Sequence, residues 1–172
     1  MSEERKILFV CTGNTCRSFM AETIARDYIA RIKPETKIQI ASAGTGCLPG
    51  EPASSKAVTV LQEMGLSKED HRTTCLTETL VTEADLVLTM TESQQQFIRR
   101  MVPQARDKVW RLSQYALGAE DGAEGIKDIL DPFGCELEVY RACAQELSDL
   151  VARALNRFLA QEGSTDASSG NT

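Results

Sequence analysis

Histidine is almost absent from this chain: His71 is the only one in 172 residues. That shortage works against a metal centre. Structural zinc is usually held by Cys or His pairs roughly two to four residues apart, with a second pair elsewhere. Cys11 and Cys16 have no such second pair, so no metal and no other cofactor is expected. Long apolar runs are also missing. No stretch approaches the roughly 18 residues that a membrane span requires. The segment MSEERKILFV carries acidic residues and lacks the apolar core of a secretory signal. Positive charge is in deficit, with a net charge of −6, which argues against nucleic acid or an anionic membrane as partner. A soluble, cytoplasmic, monomeric protein is the expectation. In that setting six irregularly spaced cysteines read as free thiols rather than as a disulfide framework.

What is present is enough apolar sequence for one domain with a real core, and no internal repeat. KILFVC (6–11) is a continuous apolar run that ends in a Gly/Asn/Thr/Ser cluster, the pattern of a strand buried on both faces. MAETIARDYIARI (20–32) places Met20, Ile24, Tyr28 and Ile32 on one stripe of a helix that Pro34 ends. KIQIASAG (37–44) is a second strand. A helix follows, with Ser54 or Ser55 as N-cap and Gly65 as its stop. ADLVLTM (84–90) is a third strand, ESQQQFIRRMV (92–102) a helix stopped by Pro103, and DKVWRL (107–112) a fourth strand. After a Gly/Asp-rich loop, residues 135–161 form a long amphipathic helix. The polar residues 161–172 read as a disordered tail behind a domain of residues 1–160. Strands alternating with helices predict an α/β domain with a parallel sheet. Ligands of such folds bind at the carboxyl ends of strands, near the point where strand order reverses. That rule puts Cys11 where a site belongs.

The segment CTGNTCRS (11–18) admits three readings: a metal clip, a disulfide, or a nucleophile in an anion cup. Gly13 and Asn14 tolerate left-handed backbone, so successive N–H groups can turn inward as an anion nest. The following helix N-terminus adds positive potential. Arg17 supplies a planar fork that fits two phosphate oxygens. All of these favour a thiolate at Cys11 and suit phosphoryl transfer through a covalent thiophosphate. The bland alternatives are a packed cysteine at a strand end, and a turn aspartate before Pro132 in DILDPFG (128–134).

The order of motifs decides between them. Cys-x5-Arg-Ser directly after an N-terminal strand, then SAGT (42–45), ADLVLTMT (84–91) and DILDPFG, resembles the low-molecular-weight protein tyrosine phosphatase family. Within it, CTGNTCRS most resembles the bacterial protein-arginine phosphatases. The likeness runs from Lys6 to about Leu159 and implies a single three-layer domain with a four-stranded parallel sheet in the flavodoxin-like order 2-1-3-4. It implies Cys11 as nucleophile, and Arg17 with the loop N–H groups of Thr12, Gly13, Asn14, Thr15 and Cys16 as the phosphoryl cradle. Ser18 would hydrogen-bond the thiolate, Asn14, Ser42 and His71 would brace the loop, and Asp131 would be general acid and then base. Cys16 would form a reversible disulfide with Cys11 that halts oxidation short of sulfinic acid.

Substrate choice rests on Thr15. Tyrosine-specific relatives carry an aliphatic residue there, whereas the arginine phosphatases carry threonine. A hydroxyl can polarise a water or hydrogen-bond near a phosphoramidate nitrogen, ionised Asp131 can pair with a guanidinium, and Phe133 would stack on the planar group. Gly134 leaves one aromatic wall fewer than in tyrosine-specific members. These features imply phosphorylated proteins, with phosphoarginine, as substrates; phosphotyrosine, arsenate reduction or non-catalytic phosphoprotein binding are the alternatives. Arsenate reductases need a relay pair of cysteines just after the third strand, where TMTESQQQF (89–97) has none. Cys47, Cys75, Cys135 and Cys143 then read as buried packing. Phe19 departs from the family, which has proline there. The ring is expected either to loosen the loop or to line the pocket wall, and Phe19→Pro to raise stability by roughly 0.4–1 kcal/mol.

Overall fold

The structure, a computed structural model, describes residues 4–67 and 70–165. Four parallel strands, β1 (Arg5–Cys11), β2 (Ile38–Gly44), β3 (Leu86–Thr89) and β4 (Val109–Arg111), form one sheet in the order β2-β1-β3-β4. This is the expected 2-1-3-4 order. The apolar run of β1 is explained by its central place, because alternate residues feed two different cores. Ile7, Phe9 and Cys11 face a core shared with α1 (Arg17–Ile32), α2 (Ser55–Glu63), α5 (Leu112–Leu117) and α6 (Leu137–Thr165). Leu8 and Val10 face the other, with Val81 of α3 (Glu78–Glu83) and Ile98 of α4 (Glu92–Met101). A strand covered on both faces has no polar side to show in its sequence.

The chain leaves β1 for β2 on one side and returns to place β3 on the other. Strand order therefore reverses beside β1, and the loop after Cys11 opens into the crevice at that point. Register puts Cys11 opposite Gly44. That glycine is required by space: a Cβ on Gly44 would lie 2.5 Å from the Thr12 carbonyl oxygen. Thr45 N–H and Gly46 N–H donate to the Cys11 and Thr12 carbonyls (2.9 and 3.0 Å), so the end of β2 is laced to the loop.

Several boundaries differ from the sequence expectation. Helix α1 begins at Arg17, not Met20; its first turn points polar side chains at the site, so apolar periodicity starts late. Helices α3 and α5 are each six residues long, too short to show a period, and were not expected. Strand β4 keeps three residues because Pro103–Lys108 winds into a 3-10 turn before it. Ser54 is the N-cap residue of α2, but its hydroxyl donates to Tyr140 Oη (3.2 Å) instead of capping. Gly65 follows α2 in left-handed backbone (φ 77°), the expected stop. Helix α6 continues to Thr165, past the expected domain end at residue 160; the rest of the expected tail, residues 166–172, lies outside the described residues.

Candidate active site

Residues 11–18 curl around the N-terminus of α1, and Cys11 sits at the base with 2% of its surface exposed. Its sulfur is 2.9 Å from Ser18 Oγ and accepts from the Asn14 N–H at 3.2 Å. Asn14 takes the left-handed conformation (φ 58°), while Gly13 does not. Asparagine tolerates this region, and here four partners hold it. Its Nδ2 donates to Ser18 Oγ (2.8 Å) and Ser42 Oγ (2.9 Å), its Oδ1 accepts from Thr74 N–H (2.9 Å), and its carbonyl bonds His71 Nε2 (2.8 Å). A carbonyl only accepts, so His71 carries its proton on Nε2.

The direction of this network follows from donor counting. Both Nδ2 hydrogens of Asn14 are used on the two serines, which leaves each hydroxyl hydrogen to point elsewhere. Ser42 donates to the buried Glu22 carboxylate (3.1 Å). Ser18 is left to donate to the Cys11 sulfur, which suits a thiolate. Glu22 also takes Arg26 Nη2 at 3.1 Å and lies 3.9 Å from His71 Nδ1. The sequence reading gave Glu22 no role. Its one available signal is position: it stands one helical turn after Ser18, on the same face of α1.

Arg17 is 5% exposed, donates to the Ile129 carbonyl (2.9 Å) and lies 3.5 Å from Asp131 Oδ2. Asp131 is half exposed and is itself steadied by the Phe133 N–H on Oδ1 (3.1 Å). A cavity of about 300 Å³ joins these groups; Cys11, Thr15, Arg17, Asp131 and Phe133 all line it. The sequence-predicted residues Thr12, Gly13 and Cys16 line it too, whereas Asn14, Ser18, Ser42 and His71 lie beneath or behind it. Gln94 and Tyr140 were also missed. The Gln94 side chain closes the capping box of α4 and donates to Thr12 Oγ1 (3.1 Å), tying that helix to the loop. Tyr140 Oη lies 3.5 Å from Cys16 Sγ, and burial pushes its phenol up to about 12, so it is neutral at physiological pH.

Three expectations need correction. Phe19 does not line the pocket: it is fully buried, with its ring centroid 4.5 Å from that of His71. An aromatic at this place braces the histidine that holds Asn14. Cys47 and Cys75 are neither free nor buried packing; they are joined by a disulfide at the cavity's edge. Their Cα atoms are 5.6 Å apart, within disulfide reach, although 28 residues separate them in sequence. Cys135 is a free thiol but half-exposed, because it falls in the turn before α6. Cys143 is buried as expected, and that burial pushes its thiol up to about 12. Cys11 and Cys16 are both free thiols.

The site thus sets a buried sulfur under the Asn14 N–H, with Arg17 and Asp131 lining the same cavity. The model of the low molecular weight phosphotyrosine protein phosphatase family matches residues 6–164. The chain belongs to that family. Among its relatives, the protein-arginine-phosphatase of Geobacillus stearothermophilus is 38% identical over 91% of this chain and 98% of its own length. The protein-arginine-phosphatase of Bacillus subtilis is 38% identical over 84% of this chain and 91% of its own length. A probable low molecular weight protein-tyrosine-phosphatase of Ralstonia nicotianae, EpsP, is 32% identical over 90% of this chain and 94% of its own. In fold, a structure of a YwlE mutant from Bacillus subtilis superposes with TM-score 0.80 at 35% identity, covering 90% of this chain and 98% of that one. Among the described residues no helix is long and apolar enough to cross a membrane, and no group of His, Cys, Asp and Glu side chains is arranged to hold a metal.

Proposed function

We propose that this phosphatase hydrolyses phosphoarginine in proteins by way of a cysteinyl-phosphate. The observation that carries the reading is the position of Thr15, whose side chain lines the same cavity as Cys11, Arg17 and Asp131. A hydroxyl there, rather than an aliphatic wall, suits a polar phosphoramidate better than a phenyl ring. Relatives named protein-arginine-phosphatase share 38% of aligned residues, which supports the same choice.

In the first step the Cys11 thiolate attacks phosphorus while Arg17 and the loop N–H groups hold the phosphoryl oxygens. The P–N bond breaks, its electrons pass to the guanidine nitrogen, and protonated Asp131 supplies the proton. In the second step the Asp131 carboxylate takes a proton from water, and the resulting hydroxide attacks phosphorus. The S–P bond breaks and its electrons return to Cys11, whose thiolate accepts the Ser18 hydroxyl hydrogen. Arg17 beside Asp131 keeps the acid over the cup between substrates. Cys16 is the redox guard of Cys11 in this reading.

The test compares kcat/KM on peptides carrying phosphoarginine and phosphotyrosine, in wild type and Thr15→Ile. The expected result is a wild-type preference for phosphoarginine that Thr15→Ile shifts toward the aryl phosphate. A wild-type preference for phosphotyrosine, unmoved by Thr15→Ile, overturns the assignment.

A further inference from the structure

Besides Asp131 and Phe133, the loop that follows β2 forms part of the cavity wall. Gly46, Cys47, Leu48 and Glu51 line the cavity from that side. The loop is held at both edges. On one it bonds the phosphate-binding loop through Thr45 and Gly46. On the other it meets the segment before α3: Gly50 N–H donates to the Thr73 carbonyl (2.9 Å), Thr73 N–H to the Glu51 carbonyl (2.8 Å), and Glu51 N–H to Thr73 Oγ1 (2.8 Å). The Thr73 hydroxyl in turn donates to the Leu48 carbonyl. The Cys47–Cys75 disulfide crosses this same seam.

The result is a mouth with two matched pairs. Leu48 and Phe133 are large apolar side chains left 72% and 70% exposed. Glu51 and Asp131 are exposed residues with carboxylate side chains, and both line the same cavity. Asp131 is engaged by Arg17, whereas among the described residues Glu51 makes no side-chain ion pair. Evolutionary cost aside, a phosphoryl-binding cavity has an electrostatic reason to avoid a second carboxylate, since it repels the phosphoryl group. A carboxylate at the rim becomes favourable when the group behind the phosphoryl is cationic. Phosphoarginine has that order: a dianionic phosphoryl, then a planar guanidinium, then an aliphatic stem for Leu48 and Phe133.

We propose that Glu51 is a specificity-determining residue that pairs with the guanidinium of the substrate, and that the Cys47–Cys75 disulfide positions it. This rests on the phosphoarginine reading above. The bond acts through the loop: it fixes the stretch between Gly46 and Glu51 against the Thr73 segment and so fixes where the carboxylate stands.

The experiment measures kcat/KM on phosphoarginine and phosphotyrosine peptides of one sequence, without added thiol, for wild type, Glu51→Gln, Cys47→Ser/Cys75→Ser and the triple variant. Glu51→Gln is expected to lower the phosphoarginine-to-phosphotyrosine ratio roughly two- to fivefold, the scale of an exposed ion pair. The drop should lie in KM and shrink in high salt. The double cysteine variant is expected to lower the same ratio, and the triple variant to fall no further than the larger single effect. A ratio that Glu51→Gln leaves unmoved overturns the recognition role. Fully additive losses, or no loss in the cysteine variant, overturn the positioning role. A wild type that prefers phosphotyrosine sinks the phosphoarginine reading itself, and the wild-type ratio alone reports it, apart from any change on substitution.

Discussion

Replacing Phe19 by proline restores the residue that the family usually carries, and from sequence alone it should stabilise the helix start by roughly 0.4–1 kcal/mol. The structure reverses the sign. Phe19 is 0% exposed and its ring lies against His71. Truncating a fully buried phenylalanine costs about 3–5 kcal/mol, and losing the ring contact adds about 0.5–1.5 kcal/mol. Even the smallest loss set against the largest gain leaves about 2 kcal/mol of net destabilisation. For a domain of this size each kcal/mol moves the melting point by about 2–4 °C, so Phe19→Pro should melt at least about 4–8 °C below wild type. Thermal unfolding followed by circular dichroism measures this. A second readout follows from the site: His71 holds the Asn14 carbonyl, so kcat on para-nitrophenyl phosphate well below the melting range should fall as well. Phe19→Leu keeps apolar volume and should recover most of the stability but less of the activity. A Phe19→Pro variant that melts at or above wild type would refute the reasoning, because it would mean the cavity left under His71 closes without cost.

Two more outcomes follow from the packing of the loop. Gly44→Ala places a methyl group 2.5 Å from the Thr12 carbonyl oxygen unless the backbone shifts; overpacking of this kind costs about 1–3 kcal/mol, so both melting point and kcat should drop, and an unchanged kcat would show that the phosphate-binding loop moves freely. Peroxide treatment of wild type should give inactivation that thiol reverses, whereas Cys16→Ser should recover poorly; equal recovery would remove Cys16 as a guard of Cys11.

The candidate cup was legible because its parts are contiguous. Cys11, Arg17 and Ser18 fall within eight residues, and the geometry of a strand turning into a helix N-terminus leaves little choice of direction. The four strands and the longer helices were legible for a similar reason, since apolar runs and helical periods are local properties, whereas the sheet order came from the family resemblance. What the chain could not disclose is which distant side chains meet. Glu22 accepts the Ser42 hydroxyl hydrogen only because β2 lies beside α1. Phe19 looked like a missing proline until His71, 52 positions later by number, arrived under its ring. Cys47 and Cys75 read as unrelated thiols until two loops were laid edge to edge across the cavity mouth. A local pattern is encoded by neighbours in sequence and can be read from them. Pairings across the fold are set by how strands and helices pack, and that packing minimises the free energy of the whole chain rather than of any one segment.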